Sequence, residues 1–299
     1  MLLLTGATGT IGSPLLRRLL AEGIEVRCLV RDPRRLGAER VRVQIALGRL
    51  EDHLSFHHAL RGVDTVVHLA SVIRDQPGGS IEELAGVATW RLVRAAERAG
   101  VERFVFFSAL GASTRSRARL LRAKAVAERA VMESSLRHTV FAPSLVYAPG
   151  DPYLKLLGRM SLLPVMPIPG SGHTPFQPIW ADDVANCVIA ALPGGEAAEE
   201  AIGARYELAG PETLSQREFV ELVLRAGRRR RPVVALPEQV VRPALRALEL
   251  VMGPTAVATW DEAELLQVPM VSRHGTADAE ALGVVPKRAA AVLGVPGHS

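Results

Sequence analysis

The 299-residue chain is long enough for one large or two modest hydrophobic cores, and it is 48% apolar and 22% charged, an ordinary globular composition. No run of 18 apolar residues is present and no basic segment precedes Leu2, so the sequence indicates neither a membrane span nor a signal peptide, and we expect a cytoplasmic protein. A formal charge of +5 allows binding of nucleic acid or anionic lipid. Because the arginines, including the run Arg228–Arg231, alternate with no aromatic residues and form no nucleic-acid motif, we interpret them as solvated surface and expect no nucleic-acid partner.

The strongest functional signal lies in the first twelve residues. An unbroken apolar run, Leu2–Leu4, predicts a strand buried on both faces. The segment Thr5–Gly12 then places three glycines between this strand and a helix over Ile11–Leu20. Glycine permits positive φ and a close approach of the backbone to a ligand, and the N-terminus of the helix attracts an anion. With a second apolar strand at Val26–Val30, the pattern predicts a βαβ unit that binds a pyrophosphate.

Strands and helices alternate through the first half of the chain. The later predicted elements are strands at Val41–Gln44, Asp64–Ala70, Phe104–Ser108 and His138–Ala142, and helices at Leu54–Leu60, Ile81–Ala99 and Arg117–Met132. This alternation predicts an α/β fold with a doubly wound parallel sheet in the order 3-2-1-4-5-6. The ligand crevice of such a sheet lies at the carboxyl ends of strands one and four. The residues expected at this edge are Thr5, Arg31, Leu69, Ala70 and Ser108.

The second half of the chain has a different texture. Prolines and glycines from Pro143 to Pro178 predict loops that cover the crevice. The elements predicted beyond them are a helix capped by Asp182 or Asp183, a strand at Tyr206–Leu208, a helix at Ser215–Ala226 with a Ser215/Glu218 capping box, a strand at Val233–Ala235 and an amphipathic segment at Gln239–Met252. We therefore expect a dinucleotide-binding domain over residues 1–150 and a smaller C-terminal α/β lid over residues 151–299, with residues 176–192 returning to the first domain.

Several stretches together carry a family resemblance. They are Thr5–Gly12, Asp64–Ala70, Arg103–Gly111, Lys124–Glu128, Pro178–Val184 and Tyr206–Pro211. The chain resembles extended or atypical short-chain dehydrogenases/reductases, in particular the group that includes the nucleotide-binding accessory subunit of respiratory complex I and nitrogen-metabolite-repressor-like proteins. The resemblance extends to about Leu236. It implies a Rossmann fold that binds NAD(P).

The resemblance also implies which residues contact the cofactor. They are Thr5, Gly6, Thr8, Gly9, Thr10, Ile11, Gly12, Arg31, Arg34, Leu69, Ala70, Ser108 and Lys124. In the family the lysine binds the nicotinamide ribose; the alternative is a surface lysine on an arginine-rich helix.

The residues after the second strand bear on the choice of cofactor. Arginine there accepts a 2′-phosphate, whereas an acidic residue binds the ribose hydroxyls and repels the phosphate. Arg31 follows Val30 directly and is supported by Arg34, although Asp32 stands between them. We therefore predict NADP(H) over NAD(H).

The catalytic pattern of the family is incomplete. Members usually carry Tyr-x-x-x-Lys, in which the phenol is the general acid and the lysine lowers its pKa. Four residues before Lys124 stands Leu120, which has no proton to give. The family hydroxyl aligns with Ala109, so that Ser108 could serve only with a shift of one residue. The first tyrosine in the chain is Tyr147, for which we weigh a proton-donor role against packing under the lid.

Three functions remain open after the sequence is considered. The first is a cofactor sensor, complex-associated subunit or degenerate oxidoreductase that binds the dinucleotide, with a protein partner. The second is an NADPH-dependent reductase of a quinone or small carbonyl substrate, in which water, Lys124 or Tyr147 supplies the proton and Ser108 is a further candidate site residue. The third and least favoured is a sugar-nucleotide epimerase or dehydratase, because that chemistry depends most on the missing tyrosine.

Histidine spacing does not indicate a metal site. His53 and His57 are four residues apart, but a zinc site needs three or four ligands and no HExxH pattern is present. We interpret His68 as a hydrogen-bonded core residue and His173 as an exposed loop residue. No metal is expected.

Overall fold

The computed structural model describes residues 1–295, apart from the side chains of His53 and Pro254. The strands in chain order are β1 (Leu2–Thr5), β2 (Val26–Val30), β3 (Gln44–Leu47), β4 (Thr65–His68), β5 (Arg103–Phe107), β6 (Arg137–Pro143), β7 (Val146–Tyr147), β8 (Met166–Pro169), β9 (Pro175–Phe176), β10 (Ile179–Trp180), β11 (Arg205–Leu208), β12 (Leu214–Ser215) and β13 (Val233–Leu236). The helices are α1 (Gly12–Ala21), α2 (His53–Ala59), α3 (Ala88–Ala99), α4 (Arg119–Met132), α5 (Pro152–Met160), α6 (Ala181–Ala191), α7 (Gln216–Ala226), α8 (Glu238–Met252), α9 (Trp260–Leu265), α10 (Ala277–Glu280) and α11 (Ala289–Val292). None of the helices in this part of the chain is long and apolar enough to cross a membrane.

The central sheet has seven parallel strands in the order β3-β2-β1-β4-β5-β6-β11. The predicted fold class and the predicted order of the first six strands are therefore confirmed. The seventh strand, β11, comes from the second half of the chain and pairs with β6, Arg205 opposite Val140. The order in which the chain adds strands reverses between β1 and β4, because β2 and β3 lie on one side of β1 and β4, β5 and β6 on the other. This places the crevice where the sequence predicts it.

Helices cover both faces of the sheet, as expected for strands that are apolar on both sides. On one face, Leu2 and Leu4 of β1 pack with α1 and α6. On the other, Leu3 packs in the core that α2, α3 and α4 cover. Helix α6 thus lies against α1, where the Arg18 guanidinium donates to Asp182 at 2.8 Å. The C-terminal half has two further apolar clusters, one around the Phe219 ring and one between α5, α7, β8 and β13.

Four predictions about elements were wrong in detail. Strand β3 begins at Gln44 instead of Val41, because residues 33–42 form a 3₁₀ segment that is interrupted at Gly37. The first turns of the helix predicted from Ile81 are π-helical over Glu82–Val87. The proline-rich stretch contains a helix, α5, because Asp151 caps it by accepting from the Leu154 N–H at 2.7 Å.

The fourth concerns the start of α6. Neither predicted aspartate caps it; Trp180 precedes the helix and makes no side-chain cap. The carboxylates have other partners, because Asp182 pairs with Arg18 and Asp183 accepts from the Lys287 N–H at 2.8 Å. The predicted Ser215/Glu218 capping box of α7 is present.

Candidate dinucleotide site

The turn between β1 and α1 is packed so closely that only glycine fits it. Gly6 has φ of +75°, and a Cβ atom there would lie 2.7 Å from the Ala70 nitrogen. A Cβ atom at Gly12 would lie 2.1 Å from the Gly6 carbonyl oxygen. The turn is closed by a hydrogen bond from the Gly9 N–H to that same oxygen at 3.0 Å. The turn therefore lies directly against the loop after β4, at the reversal point of the sheet.

The N-terminus of α1 is open to an anion. No side chain caps this helix, and its first turn contains no acidic residue. Within residues 1–295, the N–H groups of Thr10, Ile11 and Gly12 donate to no protein acceptor. Free donors at a helix N-terminus are suited to a phosphate. The residues of the turn thus fit a dinucleotide pyrophosphate.

A buried chain of hydrogen bonds supports this edge of the sheet. The Thr5 hydroxyl accepts from the Ala70 N–H at 3.2 Å and lies 2.7 Å from His68 Nδ1. His68 Nε2 lies 3.0 Å from the Thr89 hydroxyl, which donates to the Ala85 carbonyl at 2.9 Å. All these bonds are satisfied when His68 is neutral with its proton on Nε2. Burial, and then the charge of Lys124, lower the pKa of His68 to about 3.

The side chains of Thr5 and His68 therefore stabilise the wall of the crevice through these hydrogen bonds, and they do not face a ligand. The interpretation of His68 as a hydrogen-bonded core residue agrees with these contacts. Thr5 is only 1% exposed. Its contribution to a cofactor site is therefore to fix the positions of the glycine turn and Ala70.

Lys124 is buried rather than a surface lysine. Only 6% of the residue is exposed, its ammonium donates to the Phe107 carbonyl at 2.5 Å, and it lies 5.1 Å from the centre of the Phe106 ring. Burial lowers the pKa of Lys124 to about 8, and the charge of Glu128 opposes this shift. The cation is thus held at the end of β5, two strands from the glycine turn.

The hydroxyl of Ser108 is engaged by the protein. It donates to the Glu128 carboxylate, which also accepts from Arg205 Nε at 2.7 Å. Ser108 therefore faces α4 and β11. Because its hydroxyl already has a strong acceptor, the structure does not favour the catalytic role considered for Ser108.

The position of the missing acid is filled by apolar contacts. Leu120 lies in a cluster with Ile81 and Ala85, against which Leu265 of α9 and Val72 pack. Helix α9 is attached here through Arg119, which bonds to Glu82 at 2.6 Å and to Asp261 at 3.4 Å.

Tyr147 cannot replace the missing phenol in this arrangement. Its ring is 0% exposed and packs edge-on to Phe219 at 5.8 Å between ring centres. The hydroxyl has no hydrogen-bond partner among the described residues. Burial, reinforced by the charges of Asp183 and Glu212, raises the pKa of Tyr147. The packing role is the one these contacts favour, and the catalytic assignment is withdrawn.

The arginines after β2 are exposed and available. Asp32 uses its carboxylate to accept from the Arg34 N–H at 3.0 Å, so it caps the following 3₁₀ segment. Arg31, Arg34 and Arg35 are exposed, and none forms an ion pair among the described residues. The ambiguity that Asp32 introduced is reduced, because its carboxylate has a structural partner.

Two of the histidines considered for a metal, His53 and His57, lie on α2. The side chain of His53 lies outside the described residues, and His57 lies in a groove with Trp90 and Arg94. In the part of the chain that is described, no three His, Cys, Asp or Glu side chains are grouped as a metal site.

Sequence reasoning missed the C-terminal contribution to this region. The sequence predicted only an amphipathic segment at Gln239–Met252 within the lid, yet Leu265 packs against the cluster that contains Leu120, and Asp261 accepts from Arg119 at the start of α4. One signal was readable: Thr259 and Glu262 form a capping box that starts α9. Its packing partner could not be read from the sequence.

A family model described as NAD(P)H-binding matches residues 6–161. The chain belongs to this family. The match covers the glycine turn, β4, β5 and α4, which are the elements that form the crevice. Its cofactor is accordingly a nicotinamide dinucleotide, and the NAD(P)-binding Rossmann fold implied by the resemblance is confirmed.

Relatives show how widely the scaffold is used. The chain is 29% identical over 229 residues to "NADH dehydrogenase [ubiquinone] 1 alpha subcomplex subunit 9, mitochondrial" from Arabidopsis thaliana, covering 73% of this chain and 56% of that protein. It is 29% identical to "NAD(P)H azoreductase" from Xenophilus azovorans, covering 83% and 81%. The chain spans 44 to 59% of the length of four relatives, among them the dehydrogenase subunit and the "Photosystem II assembly factor Ycf39" from Cyanophora paradoxa.

Solved structures agree on the fold. The Thermus thermophilus UDP-glucose 4-epimerase, in complex with NAD, superimposes with a TM-score of 0.69 at 21% identity over 96% of this chain and 94% of that one. At this identity the likeness shows the fold alone.

Proposed function

We propose that this protein is a cytoplasmic NADP(H)-binding member of the atypical short-chain dehydrogenase/reductase type that works as a cofactor sensor or complex-associated subunit. The observation that carries the proposal is the contrast between two parts of one crevice. The glycine turn retains every feature that a pyrophosphate needs. The acid position, Leu120, is apolar and lies in a cluster against which Leu265 packs. The names of relatives that are a subunit or an assembly factor are consistent with a role in a complex.

The roles of individual residues follow from this geometry. We infer that the N–H groups of Thr10, Ile11 and Gly12 hold the pyrophosphate, while the turn at Gly6 and the backbone of Ala70 border it. Lys124 would donate to the nicotinamide ribose. When bound, a reduced nicotinamide supplies a hydride. Position 120 holds a leucine and the Tyr147 ring is buried in another cluster, so neither adds the accompanying proton, and reduction by the usual family route is not expected.

Binding of NADP(H) rather than NAD(H) rests on Arg31 and Arg34. Both are exposed and free of ion pairs among the described residues, and an arginine–phosphate contact is charge-assisted and bidentate. For Arg31→Gln/Arg34→Gln we expect NADPH binding to weaken by at least roughly 100-fold, because each of the two contacts contributes about 1.5–3 kcal/mol. NADH binding should be unchanged. Isothermal titration with both cofactors measures this.

The matched control is Arg91→Gln/Arg98→Gln, which removes two equally exposed arginines from α3. This variant should bind both cofactors as the wild type does. Tighter binding of NADH than NADPH by the wild type would contradict the NADP(H) assignment. An equal loss of both cofactors in the Arg31/Arg34 variant would show that these residues do not read the 2′-phosphate.

The sensor or subunit role is tested by turnover. The purified chain is mixed with NADPH and with azo compounds, quinones and small carbonyl compounds, and the absorbance of reduced cofactor is followed. We expect saturable binding of NADPH and no oxidation of NADPH that depends on the residues of the crevice. Sustained turnover that disappears in Lys124→Met would contradict this role and support the second candidate.

That second candidate is an NADPH-dependent reductase of a quinone or other small acceptor. It is favoured by the azoreductase relative, which this chain matches over most of both lengths, and by a buried lysine with a pKa of about 8. In this case the protonated Lys124 would supply the proton. Turnover should then fall as pH rises above about 8, and Tyr147→Phe should leave it unchanged because that ring is buried in another cluster.

A further inference from the structure

An apolar protrusion lies on the C-terminal half, away from the glycine turn. The four residues after Ser161, Leu-Leu-Pro-Val over residues 162–165, are all exposed and are called the apolar tip here. Leu162 is 65% exposed and Leu163 is 47% exposed. Two adjacent exposed leucines at a chain bend are unusual for a surface that faces only water.

Most of the backbone N–H groups of the apolar tip are hydrogen-bonded within the protein. The N–H groups of Leu162 and Leu163 donate to the carbonyls of Arg159 at 3.1 Å and Met160 at 3.0 Å. Pro164 has no N–H to satisfy. Because unpaired backbone donors make entry into an apolar medium costly, a tip whose donors are mostly bonded can insert at low cost.

The arginine run Arg228–Arg231 lies beside the apolar tip. Arg231 Nε donates to the Ser161 carbonyl at 3.2 Å, just before the tip. The Met166 N–H, just after the tip, donates to the Pro232 carbonyl at 2.9 Å. The end of the arginine run is therefore hydrogen-bonded to the residues on both sides of the tip. Arg228 and Arg230 are exposed, and no member of the run forms an ion pair in the part of the chain that the structure describes. Arg159, just before the tip, is exposed as well.

We propose that the apolar tip and Arg228–Arg231 form a peripheral binding surface for an anionic lipid bilayer. Arginine guanidinium groups bind lipid phosphates in a bidentate manner, and leucines beside them reach the acyl boundary. Two such signals together are what reversible membrane anchoring needs. This assigns a role to the arginine run, which the sequence alone led us to interpret as solvated surface.

The charge and shape of the surface favour a bilayer over other anionic partners. A nucleic acid would engage the arginines but offers no apolar layer for Leu162 and Leu163. All four residues of the tip are exposed, so they can insert into a deformable apolar layer. The surface belongs to the cluster of α5, α7, β8 and β13 and does not include the glycine turn, so the proposal is independent of the cofactor assignment.

The test is co-sedimentation of the full chain with vesicles of phosphatidylcholine containing about one-third phosphatidylglycerol, against vesicles of phosphatidylcholine alone. We expect binding to the anionic vesicles only. In Arg228→Gln/Arg230→Gln, the partition coefficient should fall at least about tenfold, since each arginine near an anionic surface contributes roughly fivefold. Leu162→Ser/Leu163→Ser should cause a similar loss.

Matched controls separate this surface from general charge and hydrophobicity. Arg91→Gln/Arg98→Gln removes the same charge from α3, and Leu250→Ser/Val251→Ser removes apolar groups that are 88% and 84% exposed on α8. Both should bind vesicles as the wild type does. As a second readout, a tryptophan placed by Leu163→Trp should shift its emission to shorter wavelength with anionic vesicles only.

Four outcomes would overturn the proposal: no binding to anionic vesicles, equal binding to neutral vesicles, equal losses in the control variants, or binding to duplex DNA that needs the arginines while Leu162→Ser/Leu163→Ser has no effect on vesicles. Cofactor affinity, measured in the same variants, should stay unchanged. The failure of this proposal is therefore distinguishable from failure of the cofactor proposal.

Discussion

Replacing Gly12 by alanine tests most directly whether the glycine turn binds the pyrophosphate. The new Cβ atom would lie 2.1 Å from the Gly6 oxygen and 2.8 Å from the Ala7 Cα, both backbone atoms, whereas ordinary contacts begin at 3.4 Å. The turn would have to open by about 1 Å, a displacement that strongly impairs a positioned site. Loss of two charge-assisted hydrogen bonds would weaken dinucleotide binding by roughly 3 kcal/mol, or about 100-fold in Kd.

The stability of this variant should change less than its affinity. Crowding costs about 1–3 kcal/mol of unfolding free energy, while alanine in place of glycine in a helix returns about 1 kcal/mol. Calorimetric titration with NADPH gives the Kd, and thermal unfolding gives Tm.

Two other glycines provide a graded control. A Cβ atom at Gly9 would lie 3.3 Å from the Gly6 oxygen, so Gly9→Ala should weaken binding by less than about tenfold. Gly158 of α5 has no atom within 4 Å of such a Cβ, so Gly158→Ala should leave binding unchanged and raise stability by about 0.5–1 kcal/mol. The reasoning is refuted if Gly12→Ala binds NADPH within about threefold of the wild type.

Three further predictions follow from buried polar contacts. Thr5→Val should lower the unfolding free energy by roughly 2–4 kcal/mol in denaturant titrations, because the Ala70 N–H and His68 Nδ1 lose their partner. Relative to Lys124→Met, the wild type should gain stability as pH rises from about 8 to 10.5, by up to about 3 kcal/mol, because the unfolded chain holds a proton there that the folded chain releases. Arg119→Met should cost about 2–3 kcal/mol and speed proteolysis around α9, because three carboxylates lose their shared cation.

The controls for these predictions lie in the same elements. Thr65→Val removes a hydroxyl that bonds only to Asp64, a half-exposed carboxylate, so it should cost less than about 1 kcal/mol. A pH dependence of Lys124→Met that matches the wild type would show that the buried ammonium titrates normally. Unchanged proteolysis in the Arg119 variant would mean that other contacts suffice to hold α9, such as those of Leu265 and the ion pair of Glu262 with Arg74 at 2.7 Å.

The sequence alone was sufficient to predict the parallel sheet and the glycine turn. Unbroken apolar runs predicted buried parallel strands, and the glycines between a strand and a helix predicted the turn, because both signals depend on neighbours a few residues apart. The boundaries were less certain: β3 was placed three residues early, since alternating apolar residues from Val41 onward fit a strand equally well at either position.

Only the tertiary structure decided which groups surround the candidate catalytic positions. Leu265 packs against the apolar cluster that contains Leu120, the Ser108 hydroxyl donates to Glu128, and burial lowers the pKa of Lys124. The contact with Leu265 joins residues more than a hundred positions apart, and the others depend on how α4 docks on the sheet. Local periodicity carries no information about such contacts. The sequence therefore determined which ligand the fold binds and that the usual acid is missing, and tertiary packing determined which groups surround the position of that acid.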